Sequence, residues 1–489
     1  MKEKKKDFWA ETVPKISSVL HQYVQNSQVE NTEVLKQKDP SHIISGLNIE
    51  QLMTVGFQNE EEVVSFVDKY LEYTNHLHNP KYMGHQVAVP HPFSGIPDWI
   101  HGTANNPSSL YEMGPPGGAL EGYMINWMLA KLGWFKGNSY SDFTKYPTNG
   151  SGVLTHGGSI ANLTALSAAR AAIAPEAWTE GTPSDLVLIG PVTSHYSIAR
   201  AISIMGMGQN SYVPVAVDSN EVLLEEDLQR VYQSQLKKGK RVMAVVANAC
   251  ATSTGLYDPL EEIGAFCQQH NIWFHVDGAH GAVALLSQKE KEHLKGIEMA
   301  DSIIWDAHKM MRVPALCTAV LFKNQFHQYN NFTQKGSYVF HSTEVVGMDS
   351  MPYTVECTKS ALGTKLFWTF ALEGEEKLID YVEHCYQLSS DFYGLLQQQD
   401  DFSTPYVPES NILCFRYEGA DTSDEFQMKL RYALIDTGDF YITSCIMNHK
   451  RYLRVVLIHP ETHLSHLHAL LEKIRAIAAT LTLEINQTL

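Results

Sequence analysis

The chain has 489 residues, 44% hydrophobic and 19% charged, a balance that excludes a disordered or fibrous protein. Acidic residues outnumber basic ones 54 to 37, a net charge of −17, so neither nucleic acid nor an anionic membrane is an expected partner. No run approaches the ~20 apolar residues of a membrane span, and the length calls for two or three structural units rather than one core.

In chain order, Lys2 to Lys6 forms a basic run that includes Glu3. Asp7, Glu11 and Lys15 break up any apolar stretch after it, so the run reads as a solvated terminus and not as a targeting signal. Residues 1 to about 75 read as helical: Glu60 to Thr74 alternates apolar and charged positions at helical spacing. Residues 79 to 118 are rich in Pro, Gly, His and Asn and are expected to be irregular. Long loops inside compact enzymes are usually functional. From about 119 to 310 helix and strand patterns alternate. Leu186–Ile189, Val242–Val246 and Ile272–Val276 are short, uninterrupted and apolar, as in a parallel sheet covered on both faces. After about 365 come a long helical pattern, Ile412–Arg416, a helix around Glu425 to Ile435, Leu453–Ile458 and a last helix through His463 to Ala478. That order suits a small α+β domain. The seven cysteines are scattered, odd in number and without a C-x-x-C pair, which fits reduced, mostly buried thiols in a cytoplasmic protein.

The chemistry-bearing motifs fall at strand ends. Thr155-His-Gly157-Gly158-Ser159 precedes a helix-forming run. A Gly-Gly-Ser turn at a helix start exposes N–H groups to an anion, and Ser159 can also serve as N-cap. His195 follows the strand ending at Ile189, where it could lie over a planar ring or simply be satisfied in its loop. Thr252 lies in a small-residue turn after the next strand. Asp277 ends Ile272–Val276, with a helix cap as its plainer reading. Lys309 follows Ser302–Trp305 in Asp306-Ala-His308-Lys309. An acid and an amine are thus delivered to the ends of neighbouring parallel strands, the edge where open α/β sheets bind ligands. An aspartate for a pyridine nitrogen and a lysine able to form an imine are the minimum for pyridoxal phosphate (PLP) chemistry. Such a lysine is expected to have its pKa lowered by burial or nearby cations. His463, His466 and His468 lie on a solvated helix and no H-E-x-x-H occurs, so surface histidines are a better reading than a metal site.

Together these residues resemble the group II PLP-dependent amino acid decarboxylases, from about Pro80 to the C-terminus. That family has the aspartate aminotransferase fold (fold type I), a mostly parallel sheet with helices on both faces plus a small α+β C-terminal domain. The implied division is 1–105 for a helical segment and substrate-side loop, 106–365 for the PLP-binding large domain and 366–489 for the small domain. By position the resemblance makes Lys309 the lysine bonded to the cofactor and Asp277 the partner of its pyridine nitrogen. His195 and Ala279 would lie on opposite faces of the ring, and Gly157, Gly158 and Ser159 would form the phosphate turn. Thr252 would stand near ring and Asp277, with His308 before the lysine. Tyr338, in Lys335-Gly336-Ser-Tyr338, matches a loop tyrosine that protonates Cα after carbon dioxide leaves. A phenol is protonated at neutral pH and suits that task. Tyr338 with His195 implies simple decarboxylation. The family also forms homodimers with shared sites. There are three departures: His280 for a frequent aromatic, and two that bear on the substrate pocket or dimer contact, Cys250-Ala251-Thr252 for Gly-Thr-Thr and Cys357-Thr-Lys359-Ser for Gly-Arg-Arg. Asp306 stands where some members carry a phosphate-contacting asparagine, and an acid there would repel phosphate. The polar Lys81, Tyr82, His85 and Gln86 favour a small polar or charged substrate of the 2,4-diaminobutyrate, aspartate or glutamate type. Transamination, oxidative deamination and a non-catalytic protein on the same fold are the alternatives.

Overall fold

The computed structural model describes residues 8–29, 32–35, 37–143, 149–332, 349–419 and 421–488. Seven strands form the central sheet: β1 Ser151–Thr155, β2 Leu186–Pro191, β3 Tyr212–Val215, β4 Arg241–Asn248, β5 Trp273–Asp277, β6 Ser302–Asp306 and β7 Thr318–Phe322. Their order is β1-β7-β6-β5-β4-β2-β3. The pairs β3–β2, β2–β4, β4–β5 and β5–β6 are parallel, while β7 is antiparallel to both β6 and β1.

Strand residues alternate between two cores, as the two-residue period of a strand requires. Val187, Ile189, Val245, Ala247, Ile303, Trp305, Ala319 and Leu321 pack with Met124, Trp127 and Met128 of the Pro115–Lys131 helix. Leu188, Ala244, Val246, Ile304, Val320 and Phe322 pack with Ala161, Ala165 and Leu166 of the Gly158–Ile173 helix. Both faces are apolar, so the strands read as continuous apolar runs. Replacing the fully buried Trp305 by alanine would cost about 3–5 kcal/mol.

The small domain holds β8 Phe402–Ser403, β9 Ile412–Tyr417, β10 Thr443–Met447 and β11 Lys450–Val456, in the antiparallel order β10-β11-β9-β8. The helices Glu375–Leu396, Asp424–Asp436 and Leu464–Thr488 pack against it through Phe392, Phe426, Leu430, Leu467 and Leu471.

Four helices, Phe8–Ser27, Pro40–Gly46, Ile49–Val55 and Glu60–Glu72, bear out the helical reading of the N-terminal region. The stretch 79–118 is less irregular than expected. It contains the helix Ile96–Ala104, started by Pro97 and ended by Asn105 in the left-handed conformation. Its early part extends the small sheet: Met83 N donates to Tyr441 O and Val456 N to Met83 O, both at 2.9 Å. Among the described residues no helix is long and apolar enough to cross a membrane. Five cysteines are buried, Cys445 is half-buried and Cys357 exposed, all of them free.

Candidate active site

β7 is antiparallel to both β1 and β6, so β1 runs with the parallel set. Its C-terminal end therefore lies at the same sheet edge as those of β2, β4, β5 and β6. Five loops leave that edge, and they carry the motifs. After β1, Gly157 has φ +105°, a conformation that glycine alone adopts readily. The Gly158–Ile173 helix starts there without a side-chain cap, which leaves its first N–H groups open to an anion. Ser159 is the second residue of that helix and not its N-cap, a correction to one of its two expected roles. A Cβ on Gly158 would stand 3.3 Å from Asp306 Oδ1, so glycine lets the turn approach the end of β6.

A cavity of about 200 Å³ opens at this edge. Lys309, Asp277, His195, Ser159, Thr252 and His280 are in its wall, with Gly158, Ala279 and Asp306. Asp277 Oδ2 accepts from Asn162 Nδ2 at 3.1 Å and its Oδ1 from Ala279 N at 3.2 Å. His195 ends the loop after β2 and caps the Tyr196–Ile204 helix: its Nδ1 faces Ser197 Oγ at 2.7 Å and accepts from Ser197 N at 3.4 Å. Burial lowers the pKa of His195, opposed by Asp277 and reinforced by Lys309.

Lys309 reverses one expectation. Burial does act to lower its pKa, but the carboxylates of Asp306 and Asp277 outweigh it and the net shift is upward. Its Nζ lies 3.0 Å from Asp306 Oδ2. Asp306 also accepts from Thr318 Oγ1 at 2.5 Å. Burial works to raise its pKa, yet Lys309, His308 and Thr318 together hold it below the ordinary carboxylate value. The acid beside the anion turn therefore has an ammonium as counterion. His280 is 2% exposed, and burial with the nearby Lys309 pushes its pKa down to about 3. Its Nε2 lies 2.7 Å from Asn411 Oδ1 while its Nδ1 has no partner among the described residues.

Other expected residues lie elsewhere. His308 turns from the cavity, with Nδ1 between the N and O of Cys317 at 3.2 and 2.9 Å. Lys359 is fully buried in an ion pair with Glu121 at 2.5 Å and donates to Leu154 O at 2.8 Å, tying the segment before the Leu362–Glu373 helix to β1. Tyr82 packs on Tyr441, as does His85, and Lys81 lies over the Phe440 ring. With Gln86 they stand outside the cavity wall. Tyr338 lies outside the described residues. His463 and His468 are exposed and His466 is half-buried.

Sequence reasoning passed over three residues at the site: Asn162, His275 and Arg454. Arg454, on β11, is 6% exposed. It donates to Thr252 O at 2.7 Å, Ser253 O at 3.2 Å and Gly84 O at 3.4 Å. Its signal was a charge inside the apolar strand Leu453–Ile458.

An uncapped helix start, a carboxylate and an amine around one cavity are the donor set that the phosphate, pyridine nitrogen and aldehyde carbon of PLP require. The fold is shared with solved structures. Mouse CSAD is 21% identical, with TM-score 0.87, over 97% of this chain and 99% of that one. The glutamate decarboxylase domain of a diaminobutyrate-pyruvate transaminase and L-2,4-diaminobutyrate decarboxylase from Vibrio parahaemolyticus is 22% identical, with TM-score 0.80, over 98% and 97%. Oryza sativa TDC, solved with PLP and tryptamine, is 20% identical, with TM-score 0.82, over 98% and 99%. Residues 51–418 match the pyridoxal-dependent decarboxylase conserved domain. With that match over most of its length, the chain belongs to the pyridoxal-dependent decarboxylase family and is a PLP-dependent amino acid decarboxylase.

Proposed function

We propose that the substrate is a small L-amino acid with a polar or charged side chain, of the 2,4-diaminobutyrate, aspartate or glutamate type, released as its amine and carbon dioxide. The carrying observation is the composition of the cavity wall. Lys309, Asp277 and His195 share it with Asn248, Thr252 and His280, and among the described residues its apolar members, Ala251, Ala279 and Ile304, bring no aromatic carbon ring. An indole finds little apolar surface in such a wall, whereas a polar side chain finds partners.

In this reading Lys309 would hold the cofactor covalently and the Gly157-Gly158-Ser159 turn would hold its phosphate. Asp277 keeps a proton on the pyridine nitrogen. His195, Ala279 and Thr252 would hold the ring between them. When bound, PLP takes up the electron pair left as the bond from Cα to the carboxylate breaks. Tyr338 then delivers a proton to Cα. We further propose a homodimer. Phe93, Trp99, Ile100 and Phe367 are 61, 40, 50 and 37% exposed on or beside the adjoining helices Ile96–Ala104 and Leu362–Glu373, and such apolar side chains suit burial against a second copy. The free cysteines suit a reducing compartment such as the cytoplasm.

The deciding experiment incubates PLP-loaded protein with a panel of amino acids and follows amine and carbon dioxide together. Equal release from an acidic or diamino substrate supports the proposal. Equal release from an aromatic one overturns the substrate class, and aldehyde or keto acid without matching amine overturns simple decarboxylation.

A further inference from the structure

From the cavity wall a buried chain of polar side chains runs into the core, and the reaction above gives its inner members, Trp273, Ser302, His275 and Asn162, no task. Trp273 Nε1 lies 2.9 Å from Ser302 Oγ, and Ser302 Oγ lies 2.8 Å from His275 Nδ1. His275 Nε2 is 2.9 Å from Asn162 Oδ1. Asn162 Nδ2 reaches both Asp277 Oδ2 at 3.1 Å and Ser197 Oγ at 2.9 Å. Ser197 Oγ is 2.7 Å from His195 Nδ1. His275 and Ser302 are 0% exposed, Asn162 and Ser197 1%.

We propose that these contacts form a one-way hydrogen-bond relay, in which His275 and Asn162 act as positioning residues that lock His195 in its Nε2–H tautomer and aim Asp277. The inference rests on the proposed roles of His195 and Asp277 and adds the device that sets them. The direction follows from groups with a single role. An indole N–H only donates, so Ser302 Oγ accepts from Trp273 and spends its own proton on His275 Nδ1. His275 must then carry its proton on Nε2, which donates to Asn162 Oδ1. That fixes the amide, whose two N–H bonds meet Asp277 and Ser197. Ser197, already accepting, gives its proton to His195 Nδ1. The backbone N–H of Ser197, also donor-only, points at the same Nδ1 at 3.4 Å.

Reversing one link breaks others. A proton on His275 Nδ1 could meet the Ser302 carbonyl, but it would leave the Ser302 hydroxyl proton without an acceptor in the chain of contacts above. It would also set the bare Nε2 against Asn162 Oδ1. Flipping the amide to repair this would put Oδ1 against the Asp277 carboxylate. An unmade buried hydrogen bond costs about 1–3 kcal/mol, so one proton arrangement is selected. Burial pushes His275 down to about 4 against the pull of Asp277, so the imidazole in the middle stays neutral. The consequence is chemical: His195 presents a donor, Nε2–H, to the cavity and cannot begin a cycle as a proton acceptor there.

The test is two-bond ¹⁵N–¹H imidazole spectroscopy on the full chain, with and without PLP, with His195 assigned through His195→Gln. Wild type should show His195 as Nε2–H in both states, and an Nδ1–H tautomer overturns the proposal. His275→Phe should lower kcat about tenfold, the loss of the buried hydrogen bond that orients Asn162, with KM little changed and the acid limb of the pH profile displaced. His275→Gln, which keeps a donor towards Asn162, should restore most of it. An unaltered tautomer and pH profile in His275→Phe refutes the relay. If that variant does not fold, Ser197→Ala tests the last link: with only the backbone N–H at 3.4 Å left on Nδ1, the Nε2–H share of His195 should fall, and an undiminished share refutes it. A protein that gains no visible absorbance with PLP would sink the cofactor assignment, whereas the tautomer is read without PLP.

Discussion

Acidification from about pH 7 towards pH 4 should unfold this chain earlier than its carboxylates alone would, because four buried histidines do not accept the protons that the unfolded chain takes up. Burial holds His78, His275 and His459 at about 4 and His280 at about 3, against 6.5 for a free imidazole. A depressed histidine is neutral in both states above 6.5. Between 6.5 and the folded value only the unfolded state is protonated, so stability is lost as pH falls through that window. Asp258 works the other way: burial raises it from 3.8 to about 6, so between those values the folded state binds the extra proton. From these five groups, four histidines less one aspartate, the net uptake on unfolding is about three protons, a slope of ~4 kcal/mol per pH unit. A total stability of about 5–15 kcal/mol is then exhausted within a few units below pH 6.5. Urea midpoints by far-UV circular dichroism, with proton uptake measured by potentiometric titration at about pH 5.3, test this. A midpoint flat between about pH 7 and 5, or an uptake below one proton, refutes the reasoning. His280→Phe should remove one proton from the uptake and flatten the slope by ~1.4 kcal/mol per unit.

Lys309→Ala should abolish the visible absorbance of protein incubated with PLP, and a wild-type spectrum would remove Lys309 from its role. Asp306→Asn deletes the carboxylate 3.0 Å from Lys309 Nζ. Burial then acts with less opposition, the lysine pKa falls, and the pH profile for cofactor attachment moves to lower pH in stopped-flow absorbance. An unmoved profile would show that the pair does not govern attachment. Tyr338→Phe should slow amine release or divert product to aldehyde, and unaltered amine yield and rate would exclude the phenol. Lys359→Met strands the buried Glu121 carboxylate and should cost about 3–5 kcal/mol in urea unfolding. Adding Glu121→Gln should recover much of the loss, and a single-variant cost near zero would contradict the buried pair.

The strands that deliver the site were legible because parallel strands covered on both faces are continuous apolar runs, and β2, β4, β5 and β6 are such runs. The residues at their exits were legible for the same reason: Asp277 and Lys309 are the first chemistry after an apolar stretch ends. The supporting shell was not. Asn162 and His275 are polar residues inside a helix and a strand, and nothing local says that each is the other's partner across 113 positions. The Lys309 pKa was read in the wrong direction because sequence shows an amine bound for burial but not the carboxylates that gather round it. β10 was passed over since Thr443–Met447 is short and half-buried, and its strand character comes from pairing with β11. The loop before the first motif was read for its polar side chains, and the pairing of its Tyr82 and Met83 with the small sheet had no signal in the sequence.

Arg454 has a bearing on how the protein is made. It holds the carbonyls of Gly84, Thr252 and Ser253 from a strand that emerges from the ribosome late, 370 residues after Gly84. The central sheet can assemble on a nascent chain once β7 is out, but the Thr252 loop stays unlatched until β11 has been synthesised and folded back. Vectorial synthesis thus separates scaffold from pocket in time. A chain arrested before residue 454 would lack Arg454 and also Val456 and Ile458 of the large core, and should hold PLP loosely.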